Sequence, residues 1–218
     1  MRFGTYYRYE LLRRLQIFDK IDKGDKILDI GGFDGYALSK INASKKILID
    51  PEAKKEFDGI LYLKKDFFEY NFKKQKFNLI LSLDVLEHIP KEKESKYFYK
   101  IFTLLKKDGM AIITIPSKDI KIFPNFLRGR IGRKWGHYKC LGYSREELKK
   151  LLNKSNIRNY EIHSCSARYY LNGYLLIKFL QIFLPKDLFK RVLSRIANKD
   201  AKLNLENSQG YYLIRLKR

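Results

Sequence analysis

Five short runs set the limits on how this chain can fold. KILDI (26–30), KILID (46–50), GILYL (59–63), FNLILSL (77–83) and MAIITI (110–115) are each one strand long and apolar almost throughout. Strands apolar on both faces belong inside a parallel sheet with helices on each side. Helix-like stretches fill the intervals: an amphipathic opening segment over 6–18, a short one over 35–41, and one over 91–106. Pro90 suits the first turn of the last of these, and Lys107-Asp108-Gly109 reads as its end. Ser144-Arg145-Glu146-Glu147 is a capping box that opens a helix over 144–154. NYEIHSC (159–165) and YYLIRLKR (211–218) are two more strands, the second placed to pair beside the first. The expectation is one α/β domain over 1–218, a seven-stranded mostly parallel sheet with helices on both faces. Residues 167–207 form a helical insertion, or cap, before the last strand.

The first strand runs straight into glycines: ILDIGGFDGY. In a βαβ unit, glycines after the first strand let a ligand lie against main chain, and an acid ending the second strand can grip a ribose. Asp50 is that acid. NAD and S-adenosylmethionine both use this geometry. The dinucleotide fingerprint G-x-G-x-x-G, started at Gly31, needs glycines at 33 and 36, where Phe33 and Tyr36 stand. No Gly-Lys-Ser/Thr loop is present either, so a pyrophosphate site is poorly supported.

These residues resemble the first motif of class I S-adenosylmethionine-dependent methyltransferases, D-x-G-x-G-x-G. Asp29, Gly31 and Gly35 match, Gly32 fills a slot that is often small, and Phe33 replaces the middle glycine. The resemblance runs on through about residues 25–165. LSLDVLEHIP (81–90) is similar to the fourth-strand motif of the small-molecule, type 11-like branch. LLKKDGMAIITIPS (104–117) and GHYKCLGYSREELKKLL (136–152) are similar to the segments that follow it. The resemblance implies a Rossmann-like fold, S-adenosyl-L-methionine as cofactor and no metal. It implies a cofactor site made of Asp29, Gly31, Gly32, Phe33, Gly35, Asp50, Pro51, Asp66, Phe67, Leu83, Asp84 and His88. Asp66 and Phe67 would meet the adenine, and Asp84 would stand near the amino-acid part of the cofactor. Phe33 has two readings: it lines the methionine end of the pocket, or it blocks the pocket.

Methyl transfer from a sulfonium needs positioning above all, worth ~7–11 kcal/mol in well-oriented systems. A base is needed only for a protonated acceptor. Of three histidines, His137 is the candidate general base, because it follows the fifth strand and imidazole titrates near neutrality. Packing against Trp135 or Tyr138 is the competing reading. His88 caps either the pocket or the next helix, and His163 is structural. Tyr6, Tyr7 and Tyr9 precede the first strand and bring an aromatic ring either to the cofactor or to the sheet.

The acceptor is less legible. Lys and Arg total 46 against 24 acids, a net charge of +22 with a pI near 9.8. Such a chain is drawn to anionic partners or simply carries a charged, solvated surface. The motif for base-amino methylation is missing, which lowers the nucleic-acid reading. A basic loop over 118–139 sits where an anionic acceptor would enter. The insertion combines the apolar stretch YYLNGYLLIKFLQIFLP with KDLFKRVLSRIANK, whose Leu188, Phe189, Val192, Leu193 and Ile196 recur at helical spacing. That pattern fits a helix on an anionic membrane, or a cap packed on protein. The expected function is methylation of a small-molecule or lipid-linked acceptor. RNA or protein methylation and a non-catalytic scaffold are the alternatives. Cys140 and Cys165 show no metal-ligand spacing and suit a reducing compartment. The N-terminus lacks a signal core and no run of ~20 apolar residues occurs. A cytoplasmic location is expected, with peripheral contact on the inner face of the membrane.

Overall fold

The computed structural model describes residues 3–19, 21–120, 133, 136–138, 142–203 and 210–218. Within them lie seven strands, β1 (Lys26–Ile30), β2 (Lys45–Ile49), β3 (Ile60–Leu63), β4 (Phe77–Leu83), β5 (Leu105–Pro116), β6 (Tyr160–Cys165) and β7 (Tyr211–Lys217). Seven helices accompany them: α1 (Phe3–Arg14), α2 (Tyr36–Ser39), α3 (Glu94–Leu104), α4 (Arg145–Lys154), α5 (Arg168–Asn172), α6 (Tyr174–Phe183) and α7 (Lys186–Lys202). The strands make one sheet in the order β3-β2-β1-β4-β5-β7-β6. All neighbours are parallel except β7, which runs antiparallel to β5 and β6. Helices α5, α6 and α7 lie between β6 and β7.

The apolar runs behave as central strands because both faces are covered. Ile27, Leu79, Leu81 and Ile112 point to a core shared with α1, α2 and α5–α7. Leu28, Ile30, Ile80 and Ile113 point to a second core with α3 and α4. Ser144 caps α4 as its sequence indicates, with both arms of the capping box formed.

Two expected boundaries move. The opening helix ends at Arg14, and Gln16 turns to φ 56, a left-handed conformation that a helix cannot continue through. Helix α3 ends at Leu104, and Lys107-Asp108-Gly109 belongs to β5 instead of a helix terminus. There the register slips between the pairs Phe77/Leu105 and Leu79/Met110. Asp108 takes φ 64, and hydrogen bonds with Arg218 hold the bulge against the end of β7. The turn residues were legible; which kind of turn they made depended on a strand over a hundred residues away.

Helix α7 packs along α1. Of the apolar stripe read in the sequence as a membrane face or a cap on protein, Phe189 and Leu193 are buried, Val192 and Ile196 are half-buried, and Leu188 is 46% exposed, so the stripe packs largely on protein. Asp200 is the hub of that contact. It accepts the Tyr7 hydroxyl at 2.8 Å and the backbone N–H groups of Tyr169 and Tyr170 at 2.9 and 3.2 Å. Alanine in place of Asp200 strands three buried donors, each worth ~1–3 kcal/mol when unpaired. Urea unfolding is expected to show Asp200→Ala less stable by ~3 kcal/mol, with Asp200→Asn in between, because the amide keeps one acceptor oxygen.

Candidate functional site

The carboxyl ends of β1 to β5 open into a cavity of about 990 Å³. It lies over β1 and β4, which are neighbours in the sheet although β2 and β3 intervene in the chain. Such a reversal of strand order leaves a crevice for a ligand. Gly4, Thr5 and Arg8 of α1 and Tyr170, Tyr174 and Lys178 of α5 and α6 cover it.

The cavity brings together Asp29, Gly31, Gly32, Phe33, Asp50, Pro51, Asp66, Phe67, Leu83, Asp84, His88 and His137. Gly35 is not among its lining residues. It stands behind the loop at φ 75, where a side chain would meet the Tyr62 hydroxyl at 2.6 Å. Gly35 therefore shapes the turn into α2 and makes no wall. Asp66 uses one oxygen to accept the Phe68 N–H at 2.6 Å. Phe67 is buried against Phe72 and Tyr97, while the half-buried Phe68 also reaches the cavity. The sequence reading did not single out Phe68.

Asp50 ties the two strand ends together. Its carboxylate accepts the Phe33 N–H at 3.1 Å and the Glu52 N–H at 2.7 Å. The loop after β1 is thereby fastened to the end of β2. Phe33 itself sits at φ 47, the left-handed turn that a glycine would make there, at a cost of ~1–2 kcal/mol. Its carbonyl accepts the Lys54 N–H at 2.9 Å, and Lys54 Nζ stands 5.4 Å from the centre of its ring. Phe33 lines the cavity without closing it.

The lining is acidic although the chain is strongly basic. Asp29, Asp50, Glu52, Asp66, Asp84 and Glu87 face two cations, Arg8 and Lys178. Asp29 is 2 % exposed, and Gly32 lies so close to its Oδ2 that no side chain fits between. Burial, then the nearby Asp50 and Asp34, push Asp29 up to about 8. Asp84 is held at φ 55, with Oδ1 accepting the Thr114 hydroxyl at 2.7 Å and Oδ2 3.0 Å from Arg8 Nη1. Arg8 was invisible in the sequence because nothing local pairs it with a residue on β4. The tyrosines of α1 do not line the cavity. Tyr7 stacks on Tyr170 with ring centres 4.0 Å apart, and Tyr6 and Tyr9 pack on Tyr36.

At the mouth, His137 meets His88 edge to face, with ring centres 4.7 Å apart. The Tyr138 N–H donates to the Glu87 carbonyl at 2.8 Å and holds this segment on the turn after β4. Burial, then His88 and Arg8, push His137 down to about 4, so its ring is neutral at pH 7. Glu87 is buried and its Oε2 has no hydrogen-bond partner. Burial and Asp84 hold its carboxyl well above the usual range. His163 lies on β6, exposed and paired with Glu161. Most of the basic loop over 118–139, with Lys121, Arg128, Arg130, Lys134 and Lys139, lies outside the described residues, as does Cys140.

Residues 3–162 match the model of a family described as a methyltransferase domain. The chain belongs to that methyltransferase family. Its sheet order and glycine loop are those of the class I, S-adenosylmethionine-dependent type. No curated protein sequence matches this methyltransferase. Among solved structures, it is similar to a SAM-dependent methyltransferase from Archaeoglobus fulgidus, with a TM-score of 0.61 at 17% identity over 96% of this chain and 92% of that one. It is similar to phosphoethanolamine N-methyltransferase 2 of Haemonchus contortus in complex with S-adenosyl-L-methionine, with a TM-score of 0.59 at 17% identity. That match covers 95% of this chain but 51% of the other. The cyclopropane synthase MmaA2 of Mycobacterium tuberculosis gives 0.58 at 14% identity, over 96% and 83%.

Asp29 is expected to make the stability of the methyltransferase depend on pH. Folded Asp29 titrates near 8, against ~3.9 for an exposed aspartate. The folded state holds the proton more tightly, so this contribution to stability is fully present below about pH 4 and is lost as pH rises through 8. Asp29→Asn is expected to be more stable than the natural protein at pH 8, by up to ~5 kcal/mol, and so to melt higher there, with the gap closing at pH 4. Scanning calorimetry at the two pH values checks this.

Proposed function

We propose that this methyltransferase binds S-adenosyl-L-methionine across the β1 and β2 ends and methylates a small-molecule or lipid-linked acceptor at the His88–His137 mouth. The excess of carboxylates in the cavity carries the reading. S-adenosylmethionine carries a sulfonium and an ammonium, so an acidic pocket suits it and repels a pyrophosphate. When bound, it supplies an electrophilic methyl group on sulfur. The backbone of Gly31 and Gly32 leaves room for it, Asp50 at the loop stands ready for the ribose, and Asp66 with Phe67 and Phe68 faces the adenine. Asp29, pushed up to about 8, holds its proton at neutral pH and gives it up with a cation bound beside it. Arg8 pairs with Asp84 and fixes it at the end of β4, and α1 with α5 and α6 covers the cavity from above.

The base role read for His137 is favoured by its place at the mouth but not by its basicity. A group titrating near 4 takes a proton from a hydroxyl or ammonium poorly. The acidic lining also counts against RNA as the acceptor, because a polyanion would meet carboxyl groups in the cavity.

An exposed face on α6 favours an amphiphilic acceptor. Leu176, Phe179, Ile182 and Phe183 are 61%, 57%, 77% and 66% exposed, beside the exposed cations Lys178 and Lys186. The same helix reaches the cavity through Tyr174, Lys178 and Gln181. Among the described residues no helix is long and apolar enough to cross a membrane, so the proposed contact is peripheral. Basic residues near an anionic surface add about 1 kcal/mol each.

Calorimetry is expected to show one S-adenosylmethionine per chain. Asp50→Ala should weaken it ~10–100-fold, the worth of one or two charge-assisted hydrogen bonds. Affinity should rise from pH 6 to 8 with release of a proton, then level off; affinity independent of pH in that range would remove the role given to Asp29. Flotation should recover the protein with phosphatidylglycerol vesicles and not with phosphatidylcholine ones, and Ile182→Ser with Phe183→Ser should abolish recovery.

A further inference from the structure

We propose that Glu87, His88 and His137 form a binding site for one divalent transition-metal ion, zinc or a chemical equivalent, at the mouth of the cavity. Each residue offers one ligand atom, and all three atoms lie within 4.8 Å of one another. Small side-chain rotations bring such a set to the ~2.0–2.2 Å of zinc–imidazole and zinc–carboxylate bonds.

Three further observations favour a cation here. First, Glu87 Oε2 is buried and has no hydrogen-bond partner, one of three such side-chain atoms among the described residues. A buried oxygen left in that state normally has a partner, whether protein, water or ion. Second, the His88 ring is hydrogen-bonded to the backbone of Gly136. Metal-binding imidazoles characteristically use their second nitrogen in this way, which orients the ring and leaves the first nitrogen for the metal. Third, the two segments that carry the ligands are fastened together. The turn Leu86–His88 brings Glu87 and His88, and the Tyr138 N–H binds the Glu87 carbonyl at 2.8 Å, which positions His137 opposite them.

The donor chemistry selects the ion. Two imidazole nitrogens and one carboxylate oxygen suit zinc, iron, cobalt or nickel, and they are a poor set for calcium or magnesium, which prefer oxygen. Asp84 is already paired with Arg8 at 3.0 Å, so Glu87 is the carboxyl group left to complete the set with the two histidines. All three ligands also line the cavity, so the remaining coordination positions open onto it. There an acceptor oxygen can bind, and a bound hydroxyl loses its proton to solvent at a lower pH than it would free. That role rests on the reading of the cavity as a methyl-transfer site; the binding of the ion does not. The acceptor class it favours is a hydroxyl compound, with or without a second oxygen to chelate the ion.

The test uses the full chain without a polyhistidine tag, stripped with chelator and titrated with cobalt(II). The expected result is visible d–d absorption saturating at one equivalent and bleached by zinc. His137→Ala, on a surface segment, should weaken cobalt at least ~10-fold and still bind S-adenosylmethionine by calorimetry. His163→Ala should bind both as the natural protein does. No absorption at one equivalent, or unchanged cobalt binding by His137→Ala, overturns the proposal. Cobalt binding without S-adenosylmethionine binding would instead leave the metal site standing and remove the methyl-transfer reading. Glu87→Gln provides a second check, since the amide keeps the shape and loses the charge.

Discussion

The contact between Asp50 and the Phe33 amide holds the site together. It joins the loop after β1 to the end of β2, and so decides where main chain is bare and where an acid waits beside it. Strand order places β4 next to β1, and the carboxylates of Asp29, Asp50 and Asp84 thereby converge on one crevice. Each is costly there: Asp29 is almost fully buried beside other acids, and Asp84 needs both Arg8 and Thr114. Acids concentrated in one crevice of a strongly basic protein suit a cationic ligand.

The cover of the cavity follows from the same economy of contacts. Helix α1 is anchored through Tyr7 and Asp200 to α5 and α7. That anchorage places Gly4, Thr5 and Arg8 over the strand ends. Helix α6 hangs from this layer by Tyr174 and Ile177, which are buried, and turns its aromatic and aliphatic residues outward. The insertion thus divides its labour: α7 serves the core, and α6 connects the cavity to an apolar outer surface.

Much of the candidate site was legible because its residues follow strand ends. Asp29, Asp50, Asp66 and Asp84 each stand within a few residues of an apolar run, and a chain-local pattern suffices to find them. The residues that escaped lie elsewhere. Arg8 and Thr114 act on Asp84 from α1 and β5, and Phe68 differs from Phe67 only in which side of the turn each ring takes. His88 and His137 were noticed singly, but nothing in their spacing indicated that their rings touch. Gly35 stands in the motif but not in the cavity lining, and the room it leaves is filled by Tyr62.

Sequence alone determined the class of fold, the places of the first five strands along the chain, the capping box of α4 and the acids at the strand ends. All of these depend on patterns within a few residues, read against the periods of strand and helix. Tertiary structure decided the rest: that β7 inserts between β5 and β6, that the stripe on α7 is covered while α6 is bare, and that Glu87, His88 and His137 share a corner. Those outcomes arise from contacts between segments tens to hundreds of residues apart, where burial and charge pairing are settled only when the whole chain has packed.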